Sequence, residues 1–442
     1  MRAHDLLSMR NTMSRSSGAS AGLSNTLRAL RHRNYRLFFM GQGLSLIGTW
    51  MQRVALSWLV YRLTDSAWLL GLVGFAGQLP SFFMAPFAGV WADGGRSRRL
   101  LLITQILSMA QALTLAVLVL GGWIQVWHVV VLSLLLGAIN GVDMPVRQSF
   151  LVEMIDERQD LGNAIALNST MFNGARLIGP ALAGVVIALA GEGVCFLVNG
   201  LSYVAVLASY LAMRLRPAGK PAGGKGGMWA ELGEGWTYVR SSPPVWAILL
   251  LLMTFNFVAM PYTVLLPVFA RDLLKGGPDT LGFLMGGAGV GAIAGALYLA
   301  GRRSVAGLGR LIVLAALVFC VALAAFAQSR LLWLSLLLLV PVGFGQMLQM
   351  AGSNTLLQSL VEDRMRGRVM SFYTMSFMGT FPLGSLLMGW SAEKVGAAWT
   401  LALGAVAYLI CALLALPRMP ELRRQAHAIY ARKGLLSPRG GA

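Results

Sequence analysis

The sequence predicts an all-α integral membrane protein in which twelve transmembrane helices form two pseudo-symmetric six-helix bundles. The 442 residues are 57% hydrophobic and only 12% charged, whereas soluble proteins carry about 25% charged residues. Twelve apolar runs are each long enough to cross a bilayer, which takes about 20 residues, and a polar break separates the first six from the last six. Lipid cannot satisfy open backbone groups, so runs of this length form helices rather than barrel strands.

These spans define the predicted domains. A tail at 1–34 precedes an N-terminal bundle at 35–213, a cytoplasmic linker with an interfacial helix follows at 214–244, a C-terminal bundle occupies 245–417, and a tail at 418–442 ends the chain. Within the linker, PAGKPAGGKGG at 217–227 predicts a flexible segment. The spans are predicted at 36–61, 67–91, 100–122, 126–151, 163–190, 194–213, 245–270, 280–300, 308–328, 331–358, 369–391 and 397–416.

The positions of lysine and arginine predict that both termini lie in the cytoplasm. In that orientation the outer loops hold only Arg62, Arg271, Lys275, Arg330 and Lys394, as the positive-inside rule requires. The net charge of +19 is then mostly a sorting signal, and no nucleic-acid partner is expected, because no base-reading pattern accompanies it. The first 34 residues lack the apolar core of a signal peptide. They predict a disordered tail, with an organellar transit peptide as the alternative.

Four ionisable residues lie inside the apolar spans, namely Arg53, Asp143, Arg147 and Arg176. A charge at mid-bilayer costs about 2.5–3.5 kcal/mol on insertion scales, so these side chains should face protein or a wet cavity. Asp143 and Arg147 are four residues apart on one helix face. A hairpin of spans 4 and 5 would also bring Arg176 within reach of Asp143. Asp143 is either half of a structural ion pair or the acid that exchanges a coupling proton.

Other span residues are candidates for packing or for substrate contact. In GARLIGPALAG of span 5, Gly174, Gly179 and Gly184 permit close helix approach and Pro180 bends the helix. Polar and aromatic residues that interrupt apolar runs form interhelical hydrogen bonds or line a substrate cavity. They are Gln52, Asn140, Asn173, Asn199, Asn256, Tyr262, Gln346, Gln349, Asn354 and Tyr373. Three cysteines and four histidines form no metal-binding or disulfide pattern, so no metal and no other cofactor is expected.

The two halves echo each other. SFLVEMIDERQDLGNAIAL follows span 4 and SLVEDRMRGRVMSF follows span 10, and Pro180 of span 5 has a counterpart in Pro382 of span 11. A parallel six-plus-six duplication is the layout of transporters whose two bundles rock about a central binding site.

The loop GVWADGGRSRRLLL between spans 2 and 3 contains Gly89, Asp93, Arg98 and Arg99. This order of a glycine, an acid and a basic cluster resembles the loop motif of the major facilitator superfamily, although Gly94 stands where an arginine is usual. Residues 35–102 look most like the bacterial efflux branch that includes the enterobactin exporter and macrolide-efflux pumps.

The resemblance implies roles for two of these motifs. The loop would latch the cytoplasmic side shut through Asp93 and the arginines, unless those arginines serve topology only. GARLIGPALAG would correspond to the span-5 antiporter motif, although Ala183 stands in place of the first glycine of its closing pair.

Together these features predict a secondary active transporter of the bacterial inner membrane, working as a monomer. It would export a small organic compound, such as a siderophore or a drug-like amphiphile, by proton antiport with alternating access. No GxxxxGK[ST] loop occurs, which disfavours direct use of ATP. One alternative is a lipid or lysophospholipid flippase of the same fold. An intramembrane enzyme would need paired catalytic groups or a histidine-rich metal site, which four histidines scarcely support.

Overall fold

The computed structural model describes residues 27–92, 96–214, 228–302, 304, 305, 307–415 and 424. This part of the chain is helical and contains no strand. Each predicted span corresponds to one long helix or to consecutive helical segments. We number these membrane helices α1 (Arg33–Thr64), α2 (Ala67–Ala92), α3 (Ser97–Leu120), α4 (Val126–Glu153), α5 (Leu161–Ala190), α6 (Glu192–Ala212), α7 (Pro243–Leu273), α8 (Pro278–Ala300), α9 (Leu308–Gln328), α10 (Leu332–Leu360), α11 (Asp363–Val395) and α12 (Ala397–Ala415).

Within the described ranges, ten of these helices are both long and apolar enough to cross a membrane. The other two, α1 and α11, are longer still, at 32 and 33 residues, but they are less apolar. The interior of α1 contains Gln52 and Arg53, and α11 begins with the charged segment DRMRGR. The predicted all-α membrane fold with twelve helices is confirmed.

Helix packing repeats between the two halves, which we call the N-half (α1–α6) and the C-half (α7–α12). In the N-half, α2 packs on α4, and α3 packs on α4 and α6; in the C-half, α8 packs on α10, and α9 packs on α10 and α12. Gly191 alone joins α5 to α6 with φ +81°, and Gly396 alone joins α11 to α12 with φ +86°. Glycine adopts such positive φ angles without steric cost. These matched features confirm the pseudo-symmetry.

The two ends of the bundle differ in what covers them. We call the end at which α1 and α7 begin the linker face, and the opposite end the far face. A helix at Met228–Ser241 precedes α7 and packs on α7 and α11 at the linker face. Its Glu234 pairs with Arg364 at 3.0 Å and with Arg368 at 2.6 Å. The segment 217–227, predicted to be flexible, lies outside the described residues.

The hydrophobic core is shared by both halves at the far face and divided at the linker face. One cluster of buried side chains joins Leu70 of the N-half to Leu265 of the C-half. On the linker side, the N-half has a cluster of its own around Phe150, and the C-half has a separate cluster around Leu357. The halves therefore pack together at one end and form separate bodies at the other.

Two close crossings join the halves near the far face. At the crossing of α2 and α11, a Cβ atom added to Gly71 would lie 2.9 Å from the Cα atom of Gly389. At the crossing of α5 and α8, a Cβ atom added to Gly184 would lie 3.3 Å from the Cα atom of Gly282. Small residues permit this backbone approach between membrane helices. Because α2 corresponds to α8 and α5 to α11, the two crossings are related by the pseudo-symmetry.

Polar contacts between the halves reinforce the crossings at the far face. They connect the ends of α1 and α2 to the ends of α7 and α11. The contacts are an ion pair of Arg271 with Asp65, a hydrogen bond from the Tyr61 hydroxyl to Asp272, and hydrogen bonds from the Ser66 hydroxyl and the Trp68 amide to Glu393.

A short 3-10 turn, Arg28–Arg31, ties the start of α1 to the loop between α4 and α5. Arg28 pairs with Asp160, and the His32 ring lies 2.9 Å from Asp160 and 3.4 Å from Asp156. Burial opposes the charged imidazole, but the hydrogen bonds to the two aspartates outweigh it and raise the pKa of His32 above 6.5. The hydrogen bond with His32 in turn lowers the pKa of Asp160.

Gly184→Ala should lower thermal stability, whereas Gly174→Ala on the same helix should not. A Cβ atom at position 184 would lie 3.0 Å from backbone atoms of Pro278 and Asp279, so α5 and α8 must separate, at a cost of about 1–3 kcal/mol. At position 174 no atom lies within 4 Å of the added Cβ, and replacing a helical glycine by alanine stabilises by about 0.5–1 kcal/mol. The Tm values of both variants in one detergent test this, and equal shifts would contradict it.

The docking of the 3-10 turn should weaken as pH rises. With its pKa raised, protonated His32 stabilises docking fully below pH 6.5, and this contribution is lost as the pH rises through the folded-state pKa. Asp160, whose pKa is lowered from 3.8, keeps its contribution over the whole of this range. The Ala29 amide donates a hydrogen bond to Asn163 at 2.9 Å. Its hydrogen exchange, corrected for intrinsic rates, should be faster at about pH 8.5 than at about pH 6. The same pH dependence in His32→Gln would contradict the prediction.

Candidate functional site

A polar cavity of about 70 Å³ lies inside the N-half, among residues of α1, α3, α4, α5 and α6. Its charged lining residues are Arg53, Asp143 and Arg147. Whole-ligand pockets measure about 300–1,000 Å³. This cavity therefore holds a few waters or one polar group of a larger compound.

Asp143 is the acidic centre of this cavity. Its carboxylate is buried, at 4% exposure, and accepts hydrogen bonds from the Thr104 hydroxyl at 2.8 Å and from Gln105 Nε2 at 2.7 Å. Arg147, one helical turn further along α4, places Nη2 3.4 Å from the second carboxylate oxygen. Neutral and cationic donors from α3 and α4 thus hold one buried negative charge.

The expected pair of Asp143 with Arg176 is not formed among the described residues. Asp143 pairs with Arg147 instead, and the Arg176 guanidinium faces the Trp50 ring. A pair of Asp143 with Arg176 requires the consecutive helices α4 and α5 to be neighbours. In this fold α4 packs on α2 and α3, whereas α5 packs on α1 and α8. The expectation was wrong because α4 and α5, although consecutive in the chain, do not pack on each other in the bundle.

Two arginines face one aromatic ring beside the cavity. The guanidinium carbon of Arg53 lies 4.6 Å from the centre of the Trp50 ring, and that of Arg176 lies 5.9 Å from it. Phe172 contacts the same indole edge-on, with ring centres 5.9 Å apart. An aromatic face attracts a cation but carries no net charge, so the excess positive charge here persists.

Several cavity side chains have unused hydrogen-bonding capacity. Buried side-chain oxygens of Gln42, Ser45 and Gln105 have no hydrogen-bond partner among the described residues. Buried polar groups are normally satisfied by protein, water or ligand. These three oxygens would bond to water or to a bound compound once their side chains reorient toward the cavity.

In the N-half, some of the polar residues predicted to line a cavity do so, and others form hydrogen bonds between or within helices. Gln52 and Asn140 line the cavity. Asn199 donates to Gln52 at 2.7 Å, and Gln52 donates to Gln111 at 3.0 Å, which links α6, α1 and α3 through buried amides. Asn173 bonds to the Ser169 carbonyl of its own helix.

The predicted polar residues of the C-half form bonds away from this cavity. The Tyr262 hydroxyl donates to Gln346 at 3.3 Å, and the Tyr373 hydroxyl donates to the Met350 carbonyl at 3.1 Å. Asn256 bonds to the Leu252 carbonyl at 2.9 Å, and Asn354 accepts from Gln358 at 2.5 Å. The amide of Gln349 is buried and has no hydrogen-bond partner among the described residues.

The glycine segment of α5 makes contact with two neighbouring helices. A Cβ atom added to Gly179 would lie 2.5 Å from Trp50 Cβ of α1, and Gly184 and the Pro180 carbonyl face Gly282 of α8. At Gly174 the structure leaves open space, so the close approach expected there does not occur.

The predicted gate motif lies only partly within the described residues. Gly89 is in the last turns of α2, whereas Asp93 lies outside the described residues. At the start of α3, Arg98 donates to the Leu211 carbonyl in the last turn of α6 at 2.9 Å, and Arg99 is exposed. A cation at a helix C-terminus is stabilised by the helix dipole. Arg98 thus ties two helices of the same half together.

Sequence reasoning missed four residues that shape the site: Trp50, Thr104, Gln105 and Gln111. Thr104, Gln105 and Gln111 interrupt the apolar run of span 3, so the criterion that selected the other polar candidates would have found them. No sequence signal marked Trp50, because tryptophan is equally common at lipid-facing positions.

The family described as transmembrane secretion effector matches residues 24–434. The Staphyloferrin A transporter of Staphylococcus aureus is 26% identical over 363 residues, which cover 82% of this chain and 90% of that protein. The multidrug efflux pump Tap of Mycolicibacterium fortuitum is 26% identical, covering 84% and 92%. Macrolide efflux protein A of Streptococcus pyogenes is 20% identical, covering 89% and 98%.

Solved structures share the fold. The nucleoside transporter NupG superposes with a TM-score of 0.69 at 12% identity, covering 88% of this chain and 99% of that one. An inward-facing, occupied bacterial homolog of the human lysosomal transporter Spinster gives 0.67 at 15% identity, covering 92% and 99%. With the match along nearly the whole chain and the twelve-helix architecture, the chain belongs to the transmembrane secretion effector family of the major facilitator superfamily, and is a multi-pass membrane transporter of small molecules.

Proposed function

We propose that the protein exports a small organic compound, a siderophore or a drug-like amphiphile, across the bacterial plasma membrane by alternating access coupled to protons. The observation that carries the proposal is the polar, charged cavity inside the N-half. It lies in a protein whose two halves pack together at one end only. Relatives named for staphyloferrin A, for multiple drugs and for macrolides support export and this range of compounds.

The direction of opening follows from the packing. Glycine crossings, a shared hydrophobic cluster and ion pairs close the far face, while each half keeps its own core at the linker face. The arginine-rich loops support a cytoplasmic linker face under the positive-inside rule. In this conformation the compound would enter from the cytoplasm. Separation of the two halves at the glycine crossings of the far face would then release it outside.

Proton coupling is assigned to Asp143. A proton on this carboxylate would remove the charge that Thr104, Gln105 and Arg147 hold, and it would raise the net charge of the cavity by one. A compound bound in the same cavity would experience that change, and by linkage its binding would alter the proton affinity of the site. The lipid bilayer separates the two compartments between which protons and the compound move. A single chain contains every residue of this charge network, which is consistent with a monomer.

Asp143→Asn should abolish proton-coupled export while leaving binding of the compound intact. The compound is a siderophore or macrolide that a strain lacking this protein fails to export. It is added to inverted membrane vesicles that respiration has acidified and that contain acridine orange. Export of the compound in exchange for protons raises the internal pH, and the acridine orange fluorescence recovers. We expect recovery with the wild type and none with Asp143→Asn.

Glu157→Gln provides the control, because Glu157 is an exposed acid in the loop between α4 and α5. This variant should behave as the wild type. Wild-type recovery with Asp143→Asn would reject the coupling role. Movement of labelled lysophospholipid, but of no siderophore or drug, would favour the flippase alternative.

Linking the halves at the far face should stop export. In a variant without Cys195, Cys320 and Cys411, we expect a short thiol cross-linker between Asp65→Cys and Arg271→Cys to block transport, and cleavage of the linker to restore it. The matched control links two N-half positions of the same face, Arg62→Cys and Glu192→Cys, whose side chains now form an ion pair at 2.7 Å. Full transport by the Asp65–Arg271 cross-linked protein would exclude alternating access through this face.

A further inference from the structure

Arg53 and Arg176 carry positive charge that no acid among the described residues balances. Among the described residues no carboxylate lies within ion-pair distance of either guanidinium. The nearby Asp143 carboxylate is already held by Arg147 and two neutral donors. An arginine does not lose its proton in a protein. Two uncompensated charges therefore persist in the middle of the membrane.

The surroundings of these arginines leave room for an anion. Arg53 is exposed to the interior space and Arg176 is partly exposed, so both guanidinium groups present free N–H donors. Both face the Trp50 ring, and one indole cannot neutralise two cations. A negatively charged component would complete this arrangement.

The adjoining cavity indicates the size and chemistry of that component. Its volume of about 70 Å³ accommodates a carboxylate-sized group with water, not a compound of several rings. Gln42, Ser45 and Gln105 also line the cavity, and after reorientation of the side chains their unpartnered oxygens can accept hydrogen bonds from hydroxyl or amide groups beside that carboxylate. Trp50 and Phe172 provide an aromatic surface for an apolar portion.

We propose, building on the export function above, that Arg53 and Arg176 bind a carboxylate of the exported compound while Trp50 packs against its aromatic or apolar part. The planar fork of each guanidinium matches a carboxylate with two parallel hydrogen bonds. The excess positive charge also selects against cations. The site therefore favours organic acids over basic amphiphiles among the compounds that the protein exports.

The test measures equilibrium binding to the full-length protein in lipid nanodiscs with three probes of similar shape. These are 1-naphthaleneacetate, neutral 1-naphthaleneacetamide and cationic 2-(1-naphthyl)ethylamine. We expect the wild type to bind the acetate about tenfold more tightly than the amide, and the amine most weakly. Arg53→Gln and Arg176→Gln should each weaken acetate binding about tenfold and leave amide binding unchanged.

Charge-conserving and remote variants separate a binding role from a structural one. Arg53→Lys and Arg176→Lys should recover part of the preference for the acetate, since a point charge remains without the fork. Arg330→Gln, an exposed far-face position whose side chain bonds only to nearby backbone carbonyls, should leave all three Kd values unchanged. Trp50→Leu should weaken the acetate and the amide equally.

The inference is overturned by equal affinity for the three probes, by no measurable acetate binding to the folded wild type, or by an unchanged preference in both glutamine variants. Tighter binding of glycerol 1-phosphate than of the acetate would also overturn it, and would point to a lipid headgroup. Binding at equilibrium needs no proton gradient. Loss of the charge preference in a protein that still exports a compound rejects only this inference, whereas acetate binding without export of any compound rejects the proposed function.

Discussion

The close backbone contact of the two halves at a pair of glycine crossings is the constraint on which the rest of the structure depends. Helices in lipid gain little from hydrophobic association, so van der Waals packing and interhelical hydrogen bonds must hold them together. At Gly71–Gly389 and Gly184–Gly282 the backbones are too close for a side chain. At the same face Arg271 pairs with Asp65, and the Tyr61 hydroxyl donates to Asp272.

Packing between the two halves is concentrated near the two crossings. Both lie toward the far face, and the buried clusters of the linker side do not pass from one half to the other. Separation at the far face would also expose part of the shared hydrophobic cluster, so this cluster, the crossings and the ion pairs together stabilise the closed far face. The duplicated layout of the two halves is the one found in transporters whose bundles rock about a central binding site.

The chemistry of the halves is not symmetric. The N-half contains four charged residues within its spans, Arg53, Asp143, Arg147 and Arg176. The C-half instead combines amides with an aromatic cluster, in which the ring centre of Phe255 lies 5.2 Å from those of both Phe319 and Tyr408. The C-half also contains the π-helical turns Phe255–Ala259 and Leu348–Gly352, which often occur at functional positions. The two halves thus match in fold but differ in the polarity of their interiors.

The sequence alone determined the number and approximate bounds of the helices, because every span needs about 20 apolar residues to cross the bilayer. The helices α1 and α11, at 32 and 33 residues, extend beyond their predicted spans. The sequence also identified Asp143 and the arginines, since charges inside apolar runs stand out. Which arginine pairs with Asp143, and which glycine of α5 meets a neighbour, depended on tertiary structure. Helix order in the bundle and rotation about each axis decide those contacts, and neither is encoded in the local pattern of apolar residues. For the same reason Trp50, ordinary in sequence, became the ring shared by two arginines only once α1 and α5 were packed together.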